Sequence, residues 1–158
     1  YLPALRKTRR IVSSEKTSRF MGSEFTNADL GSAPIDDFTY ELLGTETVNS
    51  VSCYKIQITP NDDEIAESEG YSKKIMYIGK TDYVFRKITF YDLDEELLKN
   101  LTVSEVKMVD TKNKLYMTTE MTMENVQTSR KSSMKITEYE LNATLSDDYF
   151  TTDYLEKQ

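Results

Sequence analysis

The decisive stretch is Leu115-Tyr116-Met117-Thr118-Thr119-Glu120-Met121-Thr122-Met123-Glu124. Its odd positions read Leu, Met, Thr, Met, Met, and its even positions read Tyr, Thr, Glu, Thr, Glu. Successive side chains of a strand point to opposite faces, so this pattern predicts one strand with an apolar face and a wet face. Working outward, comparable segments fall near residues 37–43, 51–59, 71–79, 83–91, 102–109 and 130–139. Turn-forming residues separate them: Val48-Asn49-Ser50-Val51, an acidic loop from Thr59 closed by Gly70, Gly79-Lys80-Thr81-Asp82, Asp92 to Glu96, and Asp110 to Asn113. The gaps are too short for the crossovers that parallel pairing needs, so the strands predict a meander of consecutive antiparallel hairpins.

Helix is scarce. Asn27 to Leu30 predicts one turn, capped by Thr26, and the tail from Leu145 to Leu155 predicts one or two more. A twisted sheet with one apolar face must cover it. No second sheet or long helix is visible to do so. The sheet therefore either curls on itself or is covered from outside the chain, and in both cases a groove suited to a lipid or acyl chain results.

Composition excludes more than it assigns. At 158 residues the chain reads as one domain, 1–158. Its 11 Tyr, 6 Phe and many β-branched residues favour a sheet over disorder. No apolar run is long enough to span a membrane as a helix. The chain opens at Tyr1, inside a strand-like segment, and reads as a processed or truncated piece lacking an upstream N-terminal segment. His is absent, which removes histidine-based triads, histidine zinc sites and the usual general base near neutrality. The single Cys53 lies in an alternating strand and reads as a small buried hydrophobe. The 27 acids cluster at turns and read as solvated loop charge rather than a catalytic pair. No catalytic residue, metal site or cofactor is predicted.

Charge is uneven. Residues 1–19 carry Arg6, Lys7, Arg9, Arg10, Lys16 and Arg19 against Glu15 alone, a local +5, while the rest of the chain carries −12 of the overall −7. An acidic body with one basic end argues against nucleic-acid binding and broad membrane adsorption, leaving peripheral membrane contact at most. It suits a local contact with phosphate groups or an acidic partner, or else a charged edge strand that resists aggregation. The seven Met residues, three of them on one face of the strand quoted above, read equally as ordinary core or as a pliable apolar wall.

Several segments carry a resemblance: Tyr1 to Ile11, Phe20-Met21-Gly22-Ser23-Glu24-Phe25 to Leu30, Tyr40-Glu41-Leu42-Leu43-Gly44, Cys53-Tyr54, Phe90-Tyr91-Asp92 through Leu97-Leu98-Lys99, and Leu145 to Thr151. Together they resemble the outer-membrane lipoprotein-sorting proteins, the LolA-like family. The resemblance implies a mainly β fold, a strongly curved antiparallel sheet forming an incomplete half-barrel with few short helices. It implies a non-enzymatic periplasmic carrier of lipid or lipoprotein acyl chains towards the outer membrane, working beside an RND-type inner-membrane transporter. The rival expectation is a structural or interaction module of such a transporter assembly, with a packed core and no cargo. Phe20, Met21, Phe25, Met117, Met121 and Met123 are expected at the groove or its rim. Arg6, Arg9 and Arg10 are expected to meet headgroups or the partner.

Overall fold

The computed structural model describes residue 12 and residues 15–156. Seven strands form one sheet in the order β1-β2-β3-β4-β5-β6-β7: Phe38–Val48, Val51–Pro60, Lys73–Gly79, Phe85–Tyr91, Leu97–Asp110, Leu115–Asn125 and Arg130–Lys135. Every neighbouring pair is antiparallel. The predicted meander is therefore observed, with β1 and β5 running further than their alternation indicated. The β1–β2 turn has positive φ at both Asn49 and Ser50, the geometry a two-residue hairpin needs to match strand twist.

The expected half-barrel is corrected. The sheet is open, with β1 and β7 as its two edges, and it is not strongly curled. The reason lies in the covering. Residues 15–33 fold over one face, so the sheet need not roll up to bury its apolar side. Phe25, at 2% exposure, anchors this cover and packs with Tyr71, Ile88, Phe90, Leu101, Val103 and Met123. The cover ends in the predicted short helix α1 (Asn27–Leu30), whose capping box is complete: Asp29 N donates to Thr26 Oγ1, and Thr26 N donates to Asp29 Oδ2.

One helix departs from expectation. The acidic loop after Pro60 contains α2 (Asp63–Glu69). Asp62 caps it by accepting from Ile65 N, and Gly70 closes it in the left-handed conformation at φ 80°. Gly70 is needed twice, because a Cβ there would also meet Thr17 Cγ2 at 2.9 Å. In the tail a 3-10 turn at Asp147–Phe150 and helix α3 (Thr152–Glu156) match the predicted turns.

Strand register sorts the covered face into rows, because directly opposed residues share a face. One row runs Ile56, Met76, Ile88, Leu101, Met123 across five strands. The next runs Ile58, Lys74, Phe90, Lys99, Asn125. The opposite face has a smaller cluster of Cys53, Ile75 and Tyr77, where Cys53 is free and fully buried as read from the sequence. Met123 is fully enclosed, so Met123→Ala should cost about 2–5 kcal/mol, the range for emptying a core site. Urea unfolding would show this as a lowered midpoint at unchanged slope.

Candidate functional site

The second row places two lysines under the cover, and each meets a carboxylate brought from elsewhere in the chain. Lys99 Nζ donates to Asp29 Oδ2 at 2.6 Å and to the Glu24 carbonyl at 3.3 Å. Both side chains of the Lys99–Asp29 pair are almost fully buried. Tyr71 Oη donates to the other Asp29 oxygen at 2.7 Å. Lys74 Nζ donates to Glu69 Oε2 at 3.1 Å, while Lys16 meets Glu69 Oε1 at 3.4 Å. Both ammonium groups also lie over aromatic faces: Lys99 over Tyr71 and Phe90, and Lys74 over Tyr71, Phe90 and Phe38. Glu24 adds a third tether. Its carboxylate lies 3.4 Å from Arg19 and 3.0 Å from Arg130, and its backbone N–H donates to Ser132 Oγ on β7.

Burial pulls Lys99 below the ordinary lysine value, and the Asp29 carboxylate opposes that pull. Burial pushes the Tyr71 phenol far above its ordinary value, with Asp29 adding to the rise. The phenol is thus held neutral as a donor to Asp29.

Between cover and sheet lies a cavity of about 290 Å³. Phe25, Ala28, Leu30 and Ala33 line it from the cover, and Phe38, Ile58, Met76, Phe85, Ile88, Phe90, Leu101 and Met121 from the sheet. Asp29, Glu69 and Lys74 are its charged lining residues. A separate cleft of about 410 Å³ beside α2, lined by Lys16, Asp37, Asp62, Glu64 and Glu67, is polar and open, the wrong chemistry for a hydrocarbon chain.

The structure brings some of the expected site residues together and separates others. Phe25 and Met121 line the cavity. Met123 is buried in the core beneath it. Met117, further along β6, is half-buried and lies outside the lining. Phe20 and Met21 stand at the surface, Met21 with 88% exposure and a left-handed backbone. Arg6, Arg9 and Arg10 lie outside the described residues. Sequence reasoning missed Lys74, Met76, Ile58, Phe85 and Ile88. On β3 both faces carry apolar residues, so alternation alone could not choose between Met76 and the Ile75–Tyr77 side. Lys99 left a signal, because it stands in phase with Leu101 and Val103 on a buried face. Among the described residues no cluster suited to a metal ion is present, and no helix is long and apolar enough to cross a membrane.

A family described as "uncharacterized protein" matches residues 1–157, and the chain belongs to that family. Three solved structures carry the resemblance further. A Vibrio parahaemolyticus domain assigned as an outer membrane lipoprotein-sorting protein is 31% identical with a TM-score of 0.87, covering 99% of this chain and 64% of its own. A DUF1329 family protein from Desulfovibrio piger ATCC 29098 is 28% identical with a TM-score of 0.84, covering 98% and 62%. A LolA superfamily protein from Nitrosomonas europaea, 20% identical with a TM-score of 0.70, covers 98% and 66% and shows the shared fold. The chain thus resembles outer-membrane lipoprotein-sorting proteins and has the LolA-like fold, spanning roughly two thirds of these relatives or slightly less. No curated protein matches it.

Two measurements test the buried network. Lys99→Met strands the Asp29 carboxylate and should cost about 3–5 kcal/mol in urea unfolding, whereas Lys99→Met combined with Asp29→Asn should recover at least half the loss. Tyr71 has a raised folded value, so its contribution is complete below about pH 10 and is lost as pH climbs beyond it. Lys99, with a lowered value, works the other way: charging it costs most at lower pH, and that cost fades as pH approaches its unfolded value. In an alkaline absorbance titration, one of the eleven tyrosines should ionise only with unfolding, and Tyr71→Phe should remove that late step.

Proposed function

We propose that this chain is a non-enzymatic periplasmic carrier that shelters lipid or lipoprotein acyl chains in the cavity under residues 25–33. The observation that carries this reading is the cavity itself. Apolar side chains line it on two sides, its volume approaches the lower end of small-molecule pockets, and the neighbouring core is already filled by Phe25 and Met123. Two of its wall residues are methionines, Met76 and Met121, whose unbranched side chains adapt to different chain shapes. Transfer works by burial, with about 0.8 kcal/mol gained for each CH₂ taken out of water. Release then requires a membrane or partner that offers equal shelter. The periplasmic setting, the direction towards the outer membrane and an RND-type transporter as partner rest on the resemblance to lipoprotein-sorting proteins. The basic group Arg6, Arg9 and Arg10 is assigned to headgroup or partner contact, and Phe20 and Met21 to the approach to the cavity.

One observation favours a second reading, an interaction module within a membrane transporter assembly. The edge strand β1 exposes Tyr40, Leu42 and Leu43, and Ile35 just before it is 75% exposed. Such an edge can accept another polypeptide.

Native mass spectrometry after mild extraction separates the two. A co-purifying lipid of defined mass is the expected result, and Met121→Trp, which fills the cavity, should abolish it while the fold persists. A stoichiometric protein partner without lipid would install the second reading instead.

A further inference from the structure

We propose that the molecule the cavity receives is a single-chain alkyl carboxylate, with its tail among the apolar residues and its head at Lys74. This rests on the carrier reading and adds the chemical class of the cargo.

The polar atoms at the cavity select the head. Both Asp29 oxygens have partners: Tyr71 Oη on one, and Lys99 Nζ and Thr26 N on the other. Both Glu69 oxygens have partners too, Lys16 on one and Lys74 on the other. Each carboxylate oxygen lining the cavity therefore already faces a donor of the chain. Lys74 is different. Its ammonium has three N–H donors, and Glu69 accepts one of them, while the rings of Tyr71, Phe90 and Phe38 hold the group in place. A ligand that accepts hydrogen bonds finds donors here, beside two carboxylates already engaged by the chain's own cations.

The ion pairs leave room for an exchange at Lys74. Three ammonium groups, Lys16, Lys74 and Lys99, share the two carboxylates Glu69 and Asp29. An incoming carboxylate adds a further acceptor for Lys74. If it takes the place of Glu69 on Lys74, Glu69 keeps Lys16. The Lys74 side chain is 16% exposed, so an incoming carboxylate meets a partly desolvated cation, where a charge-assisted bond is stronger than at an open surface.

Volume limits the tail. An apolar cavity of about 150 Å³ accepts benzene, with its six carbons. A cavity of about 290 Å³ has room on that scale for roughly a dozen carbons, which is one chain and not several.

The test displaces a neutral fluorescent probe, N-phenyl-1-naphthylamine, from the purified chain with four twelve-carbon competitors below their micelle concentrations. These are dodecanoate, dodecan-1-ol, dodecyl phosphate and dodecyltrimethylammonium. Dodecanoate should displace the probe at a concentration about tenfold or more below that of dodecan-1-ol, the size expected for one hydrogen bond to a charged group. Lys74→Met should bring the two within about threefold by weakening dodecanoate alone, and Lys74→Arg should restore the preference, since it keeps the charge. Circular dichroism and the melting temperature establish that each variant is folded. Equal potency of dodecanoate and dodecan-1-ol in the native chain, or an undiminished preference in Lys74→Met, overturns the carboxylate head and leaves the carrier reading intact. Clear superiority of dodecyl phosphate replaces it with a phosphate head. Superiority of the trimethylammonium compound reverses the charge argument. Failure of every competitor and of the probe to bind removes the carrier reading and this inference together.

Discussion

The architecture depends on a buried ion pair between Lys99 of β5 and Asp29 of α1. The sheet alone would leave its Ile88–Leu101–Met123 row facing water. The cover that encloses this row is short: one four-residue helix and an irregular segment with a single deeply buried aromatic, Phe25. Such a piece has little apolar area with which to hold itself down. Its attachment is therefore ionic and hydrogen-bonded, through Lys99 to Asp29, Tyr71 to Asp29, Lys16 to Glu69, and Arg130 to Glu24. A buried pair is weak evidence for net stability, because two charges lose their water. It is directional, however, and fixes where the cover sits. Asp29 also completes the capping box of α1, so one carboxylate both starts the helix and docks it.

Much of the sheet was legible in the sequence. Strand order followed from alternation and turn residues, because each hairpin is a local event whose pairing partner is the next segment along. The Asn49-Ser50 turn and the Thr26 cap were readable for the same reason. Helix α2 was obscured by acids, although its punctuation, Asp62 at one end and Gly70 at the other, was present in the text. The covering of the sheet was not legible. It depends on which far-apart charges meet, and nothing in the neighbourhood of Lys99 names Asp29. The curled half-barrel was what the family resemblance implied, while the residues alone left open a sheet that curls or one covered from outside the chain; the cover is instead supplied by residues 15–33.

The site was legible in part. Phe25 and Met121 stand in the cavity wall, but the Met-rich strand as a whole does not. Met123 lies one register step deeper, in solid packing, and Met117 lies along β6 beyond the cavity. Periodicity reports which face a residue occupies and not how far along that face the cover extends. The cavity exists only where the cover from Phe25 to Ala33 stands off the sheet. Its boundary is set by residues that the alternation of β6 cannot see, including Ile58 and Lys74 on strands far away in sequence.

The meander has a consequence for the order in which the molecule assembles. Each strand closes a short loop onto its neighbour, at small entropic cost. The cover spans far longer stretches of chain: its tethers join residues 42, 70 and 108 positions apart. Closing contacts of that range costs more chain entropy than closing a hairpin, which makes them the slower ones to assemble. The hairpins thus supply a frame built from local pairings, and the cover is the one part whose placement waits on residues from distant stretches of the chain.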